Sequence, residues 1–186
     1  MKLKTTQEGV GLIEVMVALL LLAVAVLGFS AMQMTAIKAT DESLMRTRAL
    51  TIMRGGAEAI RANPTGSNAF RTALNGDSVS VTIDGSAITK DSCVQNTNAA
   101  PAAAASCTIN QLATRDGLLL KSYAAANDIN MGMVPNGCPG TSDRRQCFVA
   151  SWGDTTVQLN DTAPNACANA DGTYKNGAEC FIMEAY

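Results

Sequence analysis

From Val10 to Ile37 the chain runs 28 residues with a single charge, Glu14, and otherwise reads as a helix that is apolar on every side. About 20 apolar residues suffice to cross a bilayer, so this run predicts a membrane-spanning helix. The helical signal continues beyond it. From Gln33 to Asn63 helix formers follow without proline, and Met45, Ala49, Ile52, Met53 and Ile60 fall on one stripe at helical spacing. Charges take the other faces: Glu42 and Arg46 stand four apart, as do Arg54 and Glu58, spacings that support an exposed helical side. Pro64, Thr65 and Gly66 give the stop signal. One helix from Gly11 to Asn63 would be roughly 80 Å long at ~1.5 Å per residue. Its first half suits packing among other helices and its amphipathic second half suits lying on its own globular domain. Gly28 and the Gly55-Gly56 pair mark either bends or close approach of a neighbouring backbone.

Beyond Pro64 the pattern turns to strands and loops. Val79, Val81 and Ile83 alternate with Ser80 and Thr82 ahead of Asp84-Gly85, which predicts a half-buried strand entering a tight turn. The low-complexity stretch from Asn96 to Ser106 reads as a surface loop. Ile109 to Ala126 has helical composition with Leu112, Leu119, Leu120 and Tyr123 as candidate buried positions, although Gly117 counts against a helix. Met131 to Arg145, rich in Gly, Pro and Asn, reads as loop. Phe148, Ala150 and Trp152 alternate with Val149 and Ser151, and Gly153-Asp154 leads to Val157 and Leu159, predicting a hairpin anchored by Trp152. A further Gly- and Asn-rich loop carries Cys167, and the stretch from Cys180 to Tyr186 reads as a last strand. One long helix followed by a small antiparallel sheet is an α+β arrangement.

Composition narrows the chemistry. Histidine is absent, which removes Ser-His-Asp triads, Cys-His nucleophile pairs and the commonest metal ligand. The formal net charge of −2 would become −3 without Lys2, Lys4 and Glu8, so no dedicated nucleic-acid surface is indicated. The remaining acid candidates for an enzyme, Asp128, Asp143 and Asp154, sit in separate turn-like stretches, so neither a catalytic site nor a cofactor is expected. Six cysteines, Cys93, Cys107, Cys138, Cys147, Cys167 and Cys180, all follow the apolar run and none forms a C-x-x-C pair. An even count in an exported domain argues for disulfides rather than zinc, so no metal is expected either. Six cysteines allow 15 pairings. The sequential one, Cys93–Cys107, Cys138–Cys147 and Cys167–Cys180, is preferred because each pair brackets a loop-like stretch.

Glu14 remains to be explained, since an acid in hydrocarbon costs roughly 2.5–3.5 kcal/mol even on the lenient insertion scale. Cleavage after Gly9 would give Val10 a free ammonium group one helical turn before Glu14, in the same chain or a neighbouring copy. An ordinary secretory signal, with Ala23-Val24-Ala25 as its cleavage site, would have a shorter apolar region and no acid. A plain single-pass anchor would leave Glu14 without a purpose. The basic start Met1-Lys2-Leu3-Lys4, Gly9 and then VGLIEVMVALLLLAVAVLGF with Glu14 resemble the class III signal of type IV prepilins. In that family a membrane peptidase cuts after Gly, the new N-terminus is methylated, and Glu is the fifth mature residue. Val10 stands where Phe is usual and Gly11 where Thr is common.

The resemblance implies a pilin fold. It also implies a leader at 1–9, a transmembrane and assembly half of the helix at 10–37, an amphipathic half at 38–63 and a globular domain at 64–186. Its site residues are Gly9 and Val10 for cleavage, Val10 for methylation and Glu14 as assembly charge. ALTIMRGGAEAIRANPTG and a strand ending in Trp152 are most similar to the minor pilins called PilV. That group implies a subunit that joins other minor pilins and the major pilin through the N-terminal helix, primes pilus assembly and sits at or near the tip, in contact with a tip adhesin. It further implies processing by the prepilin peptidase, residence in the inner membrane with a periplasmic domain before assembly, and service in adhesion and twitching motility. The N-terminal pattern also resembles the minor pseudopilin GspI of type II secretion, and an adhesive or binding module is a third reading.

Overall fold

The computed structural model describes Gly9 and residues 11–93, 107–134, 137–139 and 146–185. Residues 1–8, Val10, the low-complexity loop, Asp143 and Tyr186 lie outside the described residues. By its contacts the chain divides into two units, Met1–Ser43 and Leu44–Tyr186. Helix α1 (Leu12–Ala62) passes through both without interruption. In the first unit every described residue up to Asp41 is exposed.

In the second unit the helical stripe is the core. Ala49, Ile52, Met53 and Ile60 are buried and Met45 packs at the margin, joined by Gly56 and Ala57. A Cβ on Gly56 would stand 2.7 Å from Leu120 Cδ2 and 3.0 Å from Phe148 Cζ, so this glycine permits close approach. Gly28 and Gly55 face open space, with nothing within 4 Å of where a Cβ would stand. Glu58 pairs with Arg61 at 2.7 Å, three residues on, and not with Arg54.

Asn63 ends α1. Its Oδ1 accepts from the Gly66 N–H at 3.2 Å, closing a 3-10 turn at Pro64–Gly66, and its Nδ2 donates to the Ile109 carbonyl at 2.8 Å. The chain then forms α2 (Ser67–Asn75), a helix where the sequence pattern indicated strands and loops; Phe70, Ala73 and Leu74 are its buried side. Strands β1 (Ser80–Ile83) and β2 (Ser86–Thr89) make an antiparallel hairpin through Asp84 and Gly85, both at positive φ, and Val79 stays outside it, 86% exposed.

Helix α3 (Ile109–Ala125) begins with a capping box between Thr108 and Gln111. Its buried face differs from the expected one. Ala113, Thr114, Gly117, Leu118 and Ala124 turn inward, Leu120 packs at the core margin, and Leu119 and Tyr123 point to solvent. The reason lies in size: a Cβ on Gly117 would meet the Phe70 carbonyl oxygen at 2.7 Å and Ala73 Cβ at 3.0 Å, so α2 and α3 pack through small residues.

The main sheet is antiparallel, in the order β3 (Asn130–Val134), β4 (Gln146–Ser151), β7 (Cys180–Ala185). Two expectations are corrected here. Met131–Val134, read as loop, is strand β3, and its Gly132 lies against Val157, where a Cβ would meet Cγ2 at 3.1 Å. Strand β4 forms no hairpin with β5 (Thr156–Leu159); β5 pairs in parallel with β6 (Ala166–Ala168), so Cys167 sits in a strand and not a loop. The alternation along β4 sends Phe148 and Ala150, with Trp152 just after its end, into the core shared with α1, and Val149 into a second core with Cys167 and Cys180. Phe70 meets Phe148 edge to face at 6.2 Å between ring centres. Disulfides join Cys93 to Cys107, Cys138 to Cys147 and Cys167 to Cys180. The arrangement is α+β and pilin-like: a long N-terminal helix packed on a small antiparallel sheet, with three disulfides pinning the connections.

Candidate functional site

The apolar half of α1 carries the features that demand a role. The helix opens at Gly11, whose carbonyl accepts from the Glu14 N–H at 2.9 Å and the Val15 N–H at 3.4 Å. Glu14 therefore lies in the first turn, where a carboxylate meets the positive end of the helix dipole. Its side chain is exposed and makes no hydrogen bond or ion pair among the described residues. Leu12 is 79% exposed, Leu27 71% and Phe29 63%, and the run of exposed large hydrophobic side chains extends to Ile37. By length and composition this helix is apolar enough to cross a membrane. Exposing such a surface to water forfeits roughly 1.5–3 kcal/mol for each large side chain, so the segment requires lipid or other helices around it.

Its hydroxyls agree with that environment. Ser30 donates to the Val26 carbonyl at 2.9 Å, Thr35 to Ala31 at 3.1 Å and Thr40 to Ala36 at 2.8 Å. Each donor is satisfied one turn back along its own helix and needs no water. Glu14 is thus the one ionisable group from Gly11 to Ile37. Gly9 is exposed, with nothing within 4 Å of where its Cβ would be, while Val10 is outside the described residues.

The second unit offers little chemistry. Asp128 lies at positive φ in an exposed turn after α3, and Asp154 in the exposed turn after Gly153. Among the described residues no three His, Cys, Asp or Glu side chains gather where they could hold a metal. The fully exposed Asp171 carboxyl is held below its usual range by the Thr173 backbone N–H, which donates to it at 2.8 Å, and then by the Thr173 hydroxyl. That is turn chemistry. A groove of about 720 Å³ follows the outer edge of β3, beside Asn75, and its titratable lining groups among the described residues are Asp77 and Lys121. Lys121 is already engaged by the Gly76 carbonyl.

Spacing in the sequence marked the apolar run that α1 leaves exposed. It missed Asn63 and Asn75, which fasten α1 and α2 to distant elements; an Asn directly before Pro64 was the available signal for the first. Residues 31–118, a little under half of the chain, match the family described as Tt1218-like, Type IV pilin Tt1218, and this match supports a type IV pilin. The matched stretch runs from within the exposed half of α1, through the turn at Asn63 and α2, into α3. No curated protein and no solved structure matches the chain. The matched family is structural rather than enzymatic, and with the exposed apolar helix it fits a membrane-anchored pilin subunit that passes into a pilus.

Proposed function

We propose that this chain is a minor pilin that helps initiate type IV pilus assembly and enters the filament at or near its tip. The observation that carries the reading is Glu14, exposed and unpaired in the first turn of a helix with no other charge up to Ile37. The prepilin peptidase cuts between Gly9 and Val10 on the cytoplasmic side of the inner membrane, and the new Val10 amine is methylated. Residues 10–37 hold the subunit in the bilayer, with 64–186 periplasmic, until assembly. Transfer into a bundle of similar helices, those of other minor pilins and the major pilin, then brings Glu14 to a terminal ammonium. A misplaced subunit leaves that charge buried and unpaired, so the pair selects register.

The test is Glu14→Ala in the full chain. Membrane insertion and cleavage at Gly9, read by intact mass, stay as in the wild type, while piliation and co-purification with other pilins are lost. Normal piliation with the variant would remove the role given to Glu14. The alternatives, a minor pseudopilin of type II secretion and an adhesive module contacting surfaces or a tip adhesin, are separated by which phenotype the deletion gives: secretion, attachment or piliation.

A further inference from the structure

Helix α3 is apolar on both sides. Its small residues face α2, and at about 100° per residue Leu112, Leu119 and Tyr123 fall on the opposite side. Leu119 is 46% and Tyr123 60% exposed, with Ile109 at the border 56% exposed. Between the two leucines lie Arg115 and Asp116. Arg115 Nε and Nη2 both donate to Asp116 Oδ1, at 3.0 and 2.6 Å, and the two side chains stay 26% and 27% exposed. The order is palindromic about the midpoint of this charge pair. Reversing the helix there lays Leu112 on Leu119 and Arg115 on Asp116, the self-complementarity that a two-fold contact requires.

We propose that the outer face of α3 docks on the same face of a second copy of this chain, the two helices antiparallel, with leucine on leucine and each arginine on the partner's aspartate. A stable soluble complex buries roughly 800 Å² on each partner, about 20–30 residues a side, and α3 offers only a handful. The contact therefore forms between copies concentrated by a shared membrane, where the encounter no longer carries the full cost of free diffusion. It rests on the anchoring role of the apolar half of α1 but not on a place in a pilus.

The test uses two differently tagged full-length copies in one membrane, with a benzophenone amino acid in place of Tyr123 as photo-crosslinker. The wild type gives an adduct bearing both tags. Arg115→Glu in both copies, or Asp116→Arg in both, sets like charges across the contact and lowers the adduct about tenfold. One copy with Arg115→Glu and the other with Asp116→Arg restores it, which repair of a pairing within one chain cannot do. Leu119→Asp lowers it again, and the three disulfides, read on non-reducing gels, report that each variant folds. In a Glu14→Ala background the adduct persists, so failure of the pilus reading leaves this one standing. An absent wild-type adduct, an adduct only with another protein or with lipid, or no recovery in the mixed pair overturns the proposal.

Discussion

Asn75 holds both backbone polar atoms of Met133: its Oδ1 accepts from the Met133 N–H at 2.7 Å and its Nδ2 donates to the Met133 carbonyl at 2.8 Å. Met133 belongs to β3, whose only ladder partner is β4, so one side-chain amide stands where a further strand would pair. At the opposite edge of the sheet the Tyr174 hydroxyl accepts from the Ile182 N–H of β7 at 2.9 Å. Both margins of a three-stranded sheet are thus blocked by a side chain from elsewhere in the fold, a means of discouraging unwanted strand pairing.

Replacing Asn75 with Ala leaves the Met133 N–H and carbonyl without their partner. We expect a loss of about 1–3 kcal/mol, read as a lower unfolding midpoint of the detergent-solubilised full chain. Light scattering on warming rises with it, because the β3 edge is then open. An unchanged midpoint would mean that water replaces the amide at no cost.

The adjacent glycines of α1 give opposite results. Gly55→Ala stabilises by about 0.5–1 kcal/mol, since the position is open and alanine has the higher helix propensity. Gly56→Ala destabilises by about 1–3 kcal/mol, because its methyl meets Leu120 and Phe148. Denaturant titration of the pair checks both signs in one experiment.

Asn63→Ala removes the acceptor for the Gly66 N–H and the donor to the Ile109 carbonyl together. The expected loss is about 0.5–2 kcal/mol, the range of a lost helix cap. Hydrogen exchange then accelerates at Gly66 and around the start of α3 before it changes in β4. Uniform acceleration would argue against a local fastening.

Replacing Cys167 and Cys180 together with Ala opens a bridge between residues 13 apart in sequence and empties part of the core around Val149. The cost is about 2–5 kcal/mol, as for removal of a native bridge from a small exported domain. Trp152 lies in the other core, so at temperatures below the new midpoint its fluorescence keeps the folded spectrum. Early loss of that spectrum would show that the two cores do not melt separately.

Where hydrophobic spacing has one solution, it was enough. The α1 stripe from Met45 to Ile60 and the alternation of Phe148, Ala150 and Trp152 lead to buried faces because their opposite sides are polar or belong to a second core. Helix α3 has apolar residues on two sides, and hydropathy does not say which will turn inward. Size decides that: Gly117 and Ala113 allow contacts with α2 and with the turn at Gly66 that leucines would block. Strand β3 was hidden for a related reason, since Gly132 reads as a breaker until Val157 is seen beside it. Glu14 was legible as a cost, and no partner for its side chain stands among the described residues.

Strand β4 is buried on both faces, and its side chains divide between a compartment shared with α1 and another closed by Cys167 and Cys180. The two compartments can diverge at different rates. A change in the connections between β5 and β7 is absorbed on the outer side, while the surface that seats the long helix is screened by a strand that both sides share. The outer layer is therefore the place to graft a foreign loop for display on the subunit without disturbing its hold on α1.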